Sequence, residues 1–349
     1  MQQPLPRADL DLAISLTPSF WARFDGARLF ITGGTGFIGS WLVQSLQRAN
    51  DQGRSHIELV VLTRDAHRAR QQAPHMFARA DTQVLTGDVL DFSAPLGALD
   101  LCIHGATDVA SPGATLEPRK VFDTIVLGTR RVLDAAHAHG ASRVLLASSG
   151  AVYGTQAPEQ ARMAETYAGA PDPLHNSAAY GNGKRAAESL ACAIAAQTGL
   201  QVSMARIFAL VGPGMPLNGP FAAGNFIRDV LAGESLQIQG DGRPLRSYLY
   251  AADLVVWLLR ILESGVSGQA YNVGSEEAVS ISDLACAVAK AAGVEAQLHI
   301  GQAAISGALP PRYVPDTERA RQTLQLAQYT GLSDALTKTI QWSRSAMTA

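Results

Sequence analysis

Thr32-Gly33-Gly34-Thr35-Gly36-Phe37-Ile38-Gly39 directly continues the apolar run Arg28-Leu-Phe-Ile-Thr32 and leads into Trp41-Leu-Val-Gln-Ser-Leu46. Gly33, Gly36 and Gly39 give the spacing GxxGxxG between a predicted strand and a predicted helix. The first glycine permits a sharp turn, the second lets a pyrophosphate approach the backbone, and the third lets helix and strand pack closely. A helix opening at Phe37 and Ile38 offers amide donors and a positive dipole end to phosphates. Glycine-rich turns are common on their own. In this strand–turn–helix setting the stretch reads as a dinucleotide-binding fingerprint.

Outward from it runs a regular alternation. Glu58-Leu-Val-Val-Leu62, Thr82-Gln-Val-Leu85, Leu99-Asp-Leu-Cys-Ile103, Arg143-Val-Leu-Leu-Ala147 and Gln201-Val-Ser-Met-Ala205 read as strands, with helical segments near 121–139 and 180–198. Short apolar strands alternating with longer helices predict an α/β fold, a doubly wound parallel (Rossmann) sheet. After Arg206, Gly/Pro punctuation (Gly212-Pro-Gly-Met-Pro216, Asn218-Gly-Pro220) marks departure into a smaller, mostly C-terminal substrate-binding lobe. The expected boundaries are an N-terminal extension at 1–26, pinned by Trp21 and Phe24, and a dinucleotide-binding domain at 27–205. A helix within 247–263 returns to that domain, leaving 206–246 and 264–349 to the lobe.

Composition narrows the classes. Among 349 residues, 28 Lys+Arg against 30 Asp+Glu give a net charge of −2, so no broad basic field is available for nucleic acid or a membrane surface. No apolar run approaches a spanning helix and no secretory leader is visible, which predicts a soluble, cytoplasmic protein. Cys102, Cys192 and Cys286 are widely spaced within apolar runs, the pattern of buried free thiols rather than disulfides or metal ligands. No metal is expected.

The second strand ends Val60-Val-Leu-Thr63-Arg64-Asp65. A carboxylate at its tip would accept from a ribose 2′-hydroxyl and repel a 2′-phosphate. Thr63 stands there instead, and the Arg64 guanidinium can chelate a phosphate, which favours NADP. The alternative is NAD, with Arg64 solvated and Asp65 on the ribose. Further on, Tyr180-Gly-Asn-Gly-Lys184 puts Tyr and Lys on one helix face, a turn apart. A neighbouring ammonium lowers a phenol pKa from about 10 and makes Tyr180 a usable acid–base group. Ser148-Ser149-Gly-Ala-Val-Tyr153 places a hydroxyl at the carboxyl edge of the sheet, where doubly wound folds bind substrate.

TGGTGFIG, SSGAVYG and YGNGK, in this order and spacing, resemble the extended short-chain dehydrogenases/reductases, the NAD(P)-dependent epimerases, dehydratases and reductases of nucleotide sugars. Further likeness covers about residues 27 to 335. Gly87-Asp88-Val89 resembles the adenine-contacting strand end, His104-Gly-Ala106 a loop near the cofactor, and Arg206-Ile-Phe-Ala-Leu-Val-Gly-Pro-Gly214 the RxxNVYGPG segment. Arg246-Ser-Tyr-Leu-Tyr-Ala-Ala-Asp253 resembles RDYxxVxD, and Tyr271-Asn-Val-Gly274 and Asp316-Thr-Glu-Arg-Ala-Arg321 match late landmarks. The resemblance implies Ser149, Tyr180 and Lys184 as the catalytic set, with Ser149 holding the sugar oxygen and Ala151 beside it in the substrate pocket. It also implies a nucleotide-diphosphate sugar as substrate and a homodimer formed through helices that include the YxxxK helix. Ala186, Ala187 and Ala191 suit either that contact or packing on the sheet.

Departures from the family pattern sharpen the chemistry. The 4,6-dehydratases carry Asp-Glu just after the Ser/Thr, and the decarboxylases a glutamate; here stand Gly150 and Ala151, which do no acid–base work. Reduction of a 4-keto group, or 4-epimerisation, needs only hydride and one proton. NADP tilts the choice toward reduction. Ile125 and Ala209 replace two family asparagines, the second a diphosphate contact, leaving Arg246 and Arg312 as candidate diphosphate cations. The remaining alternatives are a dehydratase with a displaced acid (Glu159, Glu165 or Asp172), a reductase of a non-nucleotide carbonyl, and a cofactor-sensing regulator of the same fold.

Overall fold

Arg28–Thr32 (β1) is the hinge of the architecture, because the chain winds outward from it in both directions. The computed structural model describes residues 2–93, 95–107, 117–157, 159–305 and 307–348. Glu58–Thr63 (β2) and Thr82–Thr86 (β3) extend the sheet on one side of β1. Leu101–His104 (β4), Arg143–Ser149 (β5), Gln201–Ile207 (β6) and Ala270–Val273 (β7) extend it on the other. The seven strands run in the order β7-β6-β5-β4-β1-β2-β3, every pair parallel. The direction of winding therefore reverses between β1 and β4, and a crevice opens there at the carboxyl ends.

Side-chain alternation divides the strands between two cores. Leu29, Ile31, Leu59, Val61, Leu101, Ile103 and Leu145 face one, while Phe30, Val60, Leu62, Cys102, Val144 and Leu146 face the other. Burial on both faces explains why the strands read as unbroken apolar runs rather than alternating ones. The first core is covered by Phe37–Asp51 (α3) and by Ala251–Ser264. The second is covered by the helix pair Pro118–Ala138 (α4) and Ala179–Thr198 (α5). Ala187 and Ala191 of α5 are fully buried in that second core, so these two small residues serve sheet packing.

Residues 7–23 form two short helices, Arg7–Ser15 (α1) and Pro18–Arg23 (α2), laid against the first core. Phe20, Trp21 and Phe24 are all buried there, with Phe20 and Trp21 edge to face at 5.1 Å. The helix Ala251–Ser264 (α6) returns to pack on the sheet. One boundary needs correction. The stretch 264–349, expected to lie wholly in the smaller lobe, contributes β7 to the central sheet, where Ala270–Val273 is buried and pairs with Met204–Ile207. Without it, β6 would present an unpaired edge beside the site. The lobe itself is built of two- and three-residue strands. Leu245–Arg246 pairs with both Val279–Ser280 and Arg312–Tyr313, and Leu236–Ile238 pairs with Leu298–Ile300. Among the described residues no helix is long and apolar enough to cross a membrane. The thiols differ from expectation in one respect: Cys102 is buried, but Cys192 is half-buried and Cys286 exposed, since apolar sequence neighbours on a helix do not fix which face the cysteine takes.

Candidate active site

The turn after β1 has the form that the glycine spacing requires. Gly33 adopts φ +76°, and an added Cβ there would stand 2.7 Å from the Gly105 carbonyl carbon, in the loop after β4. At Gly39 an added Cβ would lie 2.1 Å from the Gly33 oxygen. Gly36 differs, since only the Gly33 oxygen, at 3.4 Å, stands near the place of its missing side chain. Gly36 is also the N-cap of α3 and supplies no side-chain cap, so the first-turn amides at Phe37, Ile38 and Gly39 face outward unsatisfied by a side chain. Open space over Gly36 and uncapped amides at a helix N-terminus fit a dinucleotide pyrophosphate.

Around this cradle stand the other cofactor candidates. Thr63 ends β2, with its Oγ1 accepting from the Asp65 amide at 3.4 Å, and Arg64 follows, exposed. Asp65 is the N-cap of the next helix and accepts from the Arg68 amide at 2.8 Å. That bond turns one carboxylate oxygen away from any ribose. Asp88, just past β3, accepts from the Leu90 amide at 3.0 Å. Val89 is buried against Gly128 of α4, where an added Cβ would meet its Cγ2 at 2.9 Å. His104 is buried with both ring nitrogens engaged: Nδ1 lies 2.7 Å from Thr32 Oγ1 and Nε2 3.1 Å from Thr129 Oγ1. Burial lowers its pKa to about 3, aided by the nearby Lys184 charge, and the ring stays neutral. The Ala106 amide donates to the same Thr32 hydroxyl at 3.2 Å. His104 thus fixes the loop beside Gly33 from beneath.

Ser149, Tyr180 and Lys184 come together at the carboxyl end of β5. Ser149 closes that strand and caps the turn Gly150–Tyr153, its Oγ accepting from the Ala151 amide at 3.2 Å. Tyr180 and Lys184 are one turn apart in the first half of α5. Burial raises the Tyr180 phenol above its ordinary value, and a hydrogen bond from Ser149 works against that rise. Lys184 Nζ lies 5.8 Å from the Tyr180 ring centroid and donates to the Ala147 carbonyl at 2.7 Å. Burial pulls its pKa to about 8, with Glu188 opposing the fall. The expected lowering of the Tyr180 pKa by this ammonium therefore does not dominate: burial outweighs it, and Tyr180 holds its proton at neutral pH.

Beneath the trio runs a buried network with no counterpart in the sequence reading. Ser148 Oγ donates to Glu188 at 2.5 Å, and Arg206 pairs with Glu188 at 2.7 Å. Arg206 also donates to Tyr153 Oη at 2.8 Å, and Tyr153 donates to Asn272 at 2.7 Å. This chain ties β5, α5, β6 and β7 together directly under Ser149. Its signal was present, as Tyr180, Lys184 and Glu188 recur at intervals of four along one helix face.

An open cleft of about 630 Å³ reaches the trio, lined in part by Ala151, Tyr167, Asp172, His175, Tyr180 and Tyr313. Asp172 and His175 are exposed, whereas Glu165 is turned away to the Asn272 amide at 2.8 Å. Tyr313 is the residue that the sequence missed. Its hydroxyl stands 2.5 Å from where a Cβ on Gly150 would be, and its ring lies 4.6 Å from that of Phe208. Arg246 Cζ lies 5.9 Å from the Tyr313 ring centroid, and the two residues pair across adjacent strands. Arg312 pairs with Leu245 instead, and strand alternation sends it to the side opposite Tyr313. The structure thus brings Arg246 toward the site and does not bring Arg312 beside it.

The model of the NAD dependent epimerase/dehydratase family matches residues 29–274. UDP-glucuronic acid decarboxylase 1 of Xenopus tropicalis is 31% identical over 329 residues, covering 94% of this chain and 75% of that protein. Its Arabidopsis thaliana namesake is 29% identical over 313 residues, covering 90% and 69%. Among solved structures, UDP-glucose 4-epimerase of Thermotoga maritima superposes with a TM-score of 0.75 at 21% identity, covering 92% of this chain and 99% of that one. A dTDP-glucose 4,6-dehydratase of Streptomyces venezuelae superposes at 0.78 with 24% identity, covering 91% and 97%. The glycine cradle, the Ser–Tyr–Lys set and these matches together identify the chain as a member of the NAD-dependent epimerase/dehydratase family.

Proposed function

We propose that the protein reduces the 4-keto group of a nucleotide-diphosphate sugar, with NADPH as the favoured coenzyme. The observation that carries this reading is the space over Gly150. A side chain there would meet the Tyr313 hydroxyl at 2.5 Å and the Phe208 ring at 2.7 Å, and the next residue is Ala151. Neither position beside Ser149 bears the carboxylate that dehydratases and decarboxylases of this family use, so the likeness to decarboxylases does not extend to their chemistry. Hydride transfer with one proton needs only the groups present.

When bound, the nicotinamide supplies two-electron hydride chemistry. Tyr180, kept protonated by burial, gives its proton to the C4 oxygen. Ser149 hydrogen-bonds that oxygen, and Lys184 stabilises the phenolate left behind. Arg246 is the candidate cation for the sugar diphosphate, and Arg64 the one for a 2′-phosphate, with Asp65 engaged as a helix cap. Exposed Phe122 and Leu127 on α4 support a homodimer formed on the α4–α5 face.

The test is to offer UDP- and dTDP-linked 4-keto-6-deoxyhexoses with NADPH or NADH. Stoichiometric loss of NADPH absorbance is expected, with no 4-keto-6-deoxy product from the intact nucleotide hexose. A second reading, 4-epimerisation with NAD, draws on the same three residues. It predicts interconversion of two hydroxylated sugars without net change in nicotinamide absorbance. Formation of a 4-keto-6-deoxy sugar would overturn both readings and direct attention to Asp172, the carboxylate in the cleft lining.

A further inference from the structure

Ser149 carries more hydrogen bonds than a hydroxyl can arrange freely, and this inference rests on the hydride-transfer reading above while adding a residue to it. A serine hydroxyl has one proton and two lone pairs. The Ala151 amide takes one lone pair at 3.2 Å. The hydroxyls of Tyr180 and Tyr313 both hydrogen-bond to the same oxygen. One serine proton serves only one of the two phenols, so the other must donate.

The surroundings decide which. Tyr313 is held without help from Ser149, by the Phe208 ring on one side and the Arg246 guanidinium on the other. Its hydroxyl is fixed over Gly150, where only a glycine leaves room for it. Burial pushes its pKa well above the usual tyrosine range, so it remains a donor throughout the working pH. With the Ala151 amide and Tyr313 filling both lone pairs of Ser149, the serine proton has one direction left.

We propose that Tyr313 is the positioning residue of the catalytic serine: it donates to Ser149 Oγ and thereby aims the Ser149 proton at Tyr180 and at the sugar C4 oxygen. During reduction one proton leaves Tyr180 for the C4 oxygen, and the resulting phenolate accepts from Ser149. Tyr313 keeps its own proton throughout. The oriented serine therefore favours the ionised form of Tyr180, the form that each turnover produces.

The titratable and charged groups around this pair are Lys184 on α5, Arg246 on the neighbouring lobe strand and Tyr153 behind Tyr313. Tyr167, Asp172 and His175 face them across the cleft. Tyr313→Phe keeps the ring, its Phe208 contact and all of these groups, and removes only the hydroxyl. The experiment is an NMR pH titration of NADPH-saturated protein isotope-labelled at the tyrosine Cζ, with Tyr180→Phe identifying the Tyr180 signal. In Tyr313→Phe the Tyr180 midpoint is expected to move to higher pH by roughly half to one unit, the size of one neutral hydrogen bond. Ser149→Ala should produce the same shift, and Tyr313→Phe should add nothing to it.

In turnover, Tyr313→Phe should lower kcat by roughly tenfold with an unchanged KM for the coenzyme. Reduction consumes protonated Tyr180 and fails as pH rises through its pKa, so the basic limb should move upward with the titration. An unmoved Tyr180 midpoint in Tyr313→Phe, or a further shift on top of Ser149→Ala, would overturn the assignment. Because the titration needs no sugar, it decides the role of Tyr313 even where no 4-keto sugar is reduced and the proposed reaction itself falls.

Discussion

At the scale of single residues, the trio makes separable demands. Tyr180→Phe removes the donated proton but leaves the ring and the glycine cradle intact. Turnover should fall by roughly 10²–10⁴ with coenzyme affinity retained, and a variant within a few-fold of wild type would remove Tyr180 from the mechanism. Gly150→Ala tests the space instead of the proton. Its Cβ would stand 2.5 Å from the Tyr313 hydroxyl and 2.7 Å from the Phe208 ring. Overpacking of this kind costs about 1–3 kcal/mol, so a lower denaturation midpoint and a displaced Tyr313 are expected. Unchanged stability would mean that the position tolerates a side chain and that the missing carboxylate is a matter of chance. Ser149, Tyr180 and Lys184 were legible in the sequence because each sits in a local motif whose spacing has a mechanical reason. Tyr313 was not, because its place beside Gly150 depends on a two-residue strand brought in from the far end of the chain.

Elements carry the cofactor preference. β2 ends in an exposed arginine, and the helix after it begins on Asp65 as cap, so the strand tip presents a cation rather than a free carboxylate. Arg64→Ala should raise the Kd for NADPH about ten-fold or more, the worth of one charge-assisted phosphate contact, while the Kd for NADH hardly moves. Equal weakening of both coenzymes would assign Arg64 to something other than the 2′-phosphate. The sheet strands were readable because parallel strands buried on both faces leave continuous apolar runs. The lobe strands were not: Leu245–Arg246 and Arg312–Tyr313 are too short for any period, and their partners are set by the fold. The same shortness hid the divergence of Arg246 from Arg312, which a sequence pairs only by charge.

For the whole molecule, the N-terminal helices act as a clasp on the sheet and the C-terminal helix. Asp9 of α1 is buried, accepts from Tyr250 Oη at 2.7 Å and pairs with Lys338 of the helix Leu332–Thr348. Tyr250 precedes α6 and stacks edge-on against Trp41 of α3, the helix whose first turn faces the cofactor site. One carboxylate therefore joins both chain ends to the element that positions the cradle. Tyr250→Phe keeps the ring packing and deletes one hydrogen bond to a charged group, a loss of about 1.5–3 kcal/mol. Chemical denaturation should show that loss as a single earlier transition in which tryptophan fluorescence and far-UV ellipticity change together. Coenzyme Kd should be unaffected, because the cradle keeps its backbone. An early fluorescence step ahead of the main transition would show that the extension opens as a separate unit, and the clasp would then contribute nothing to the global fold.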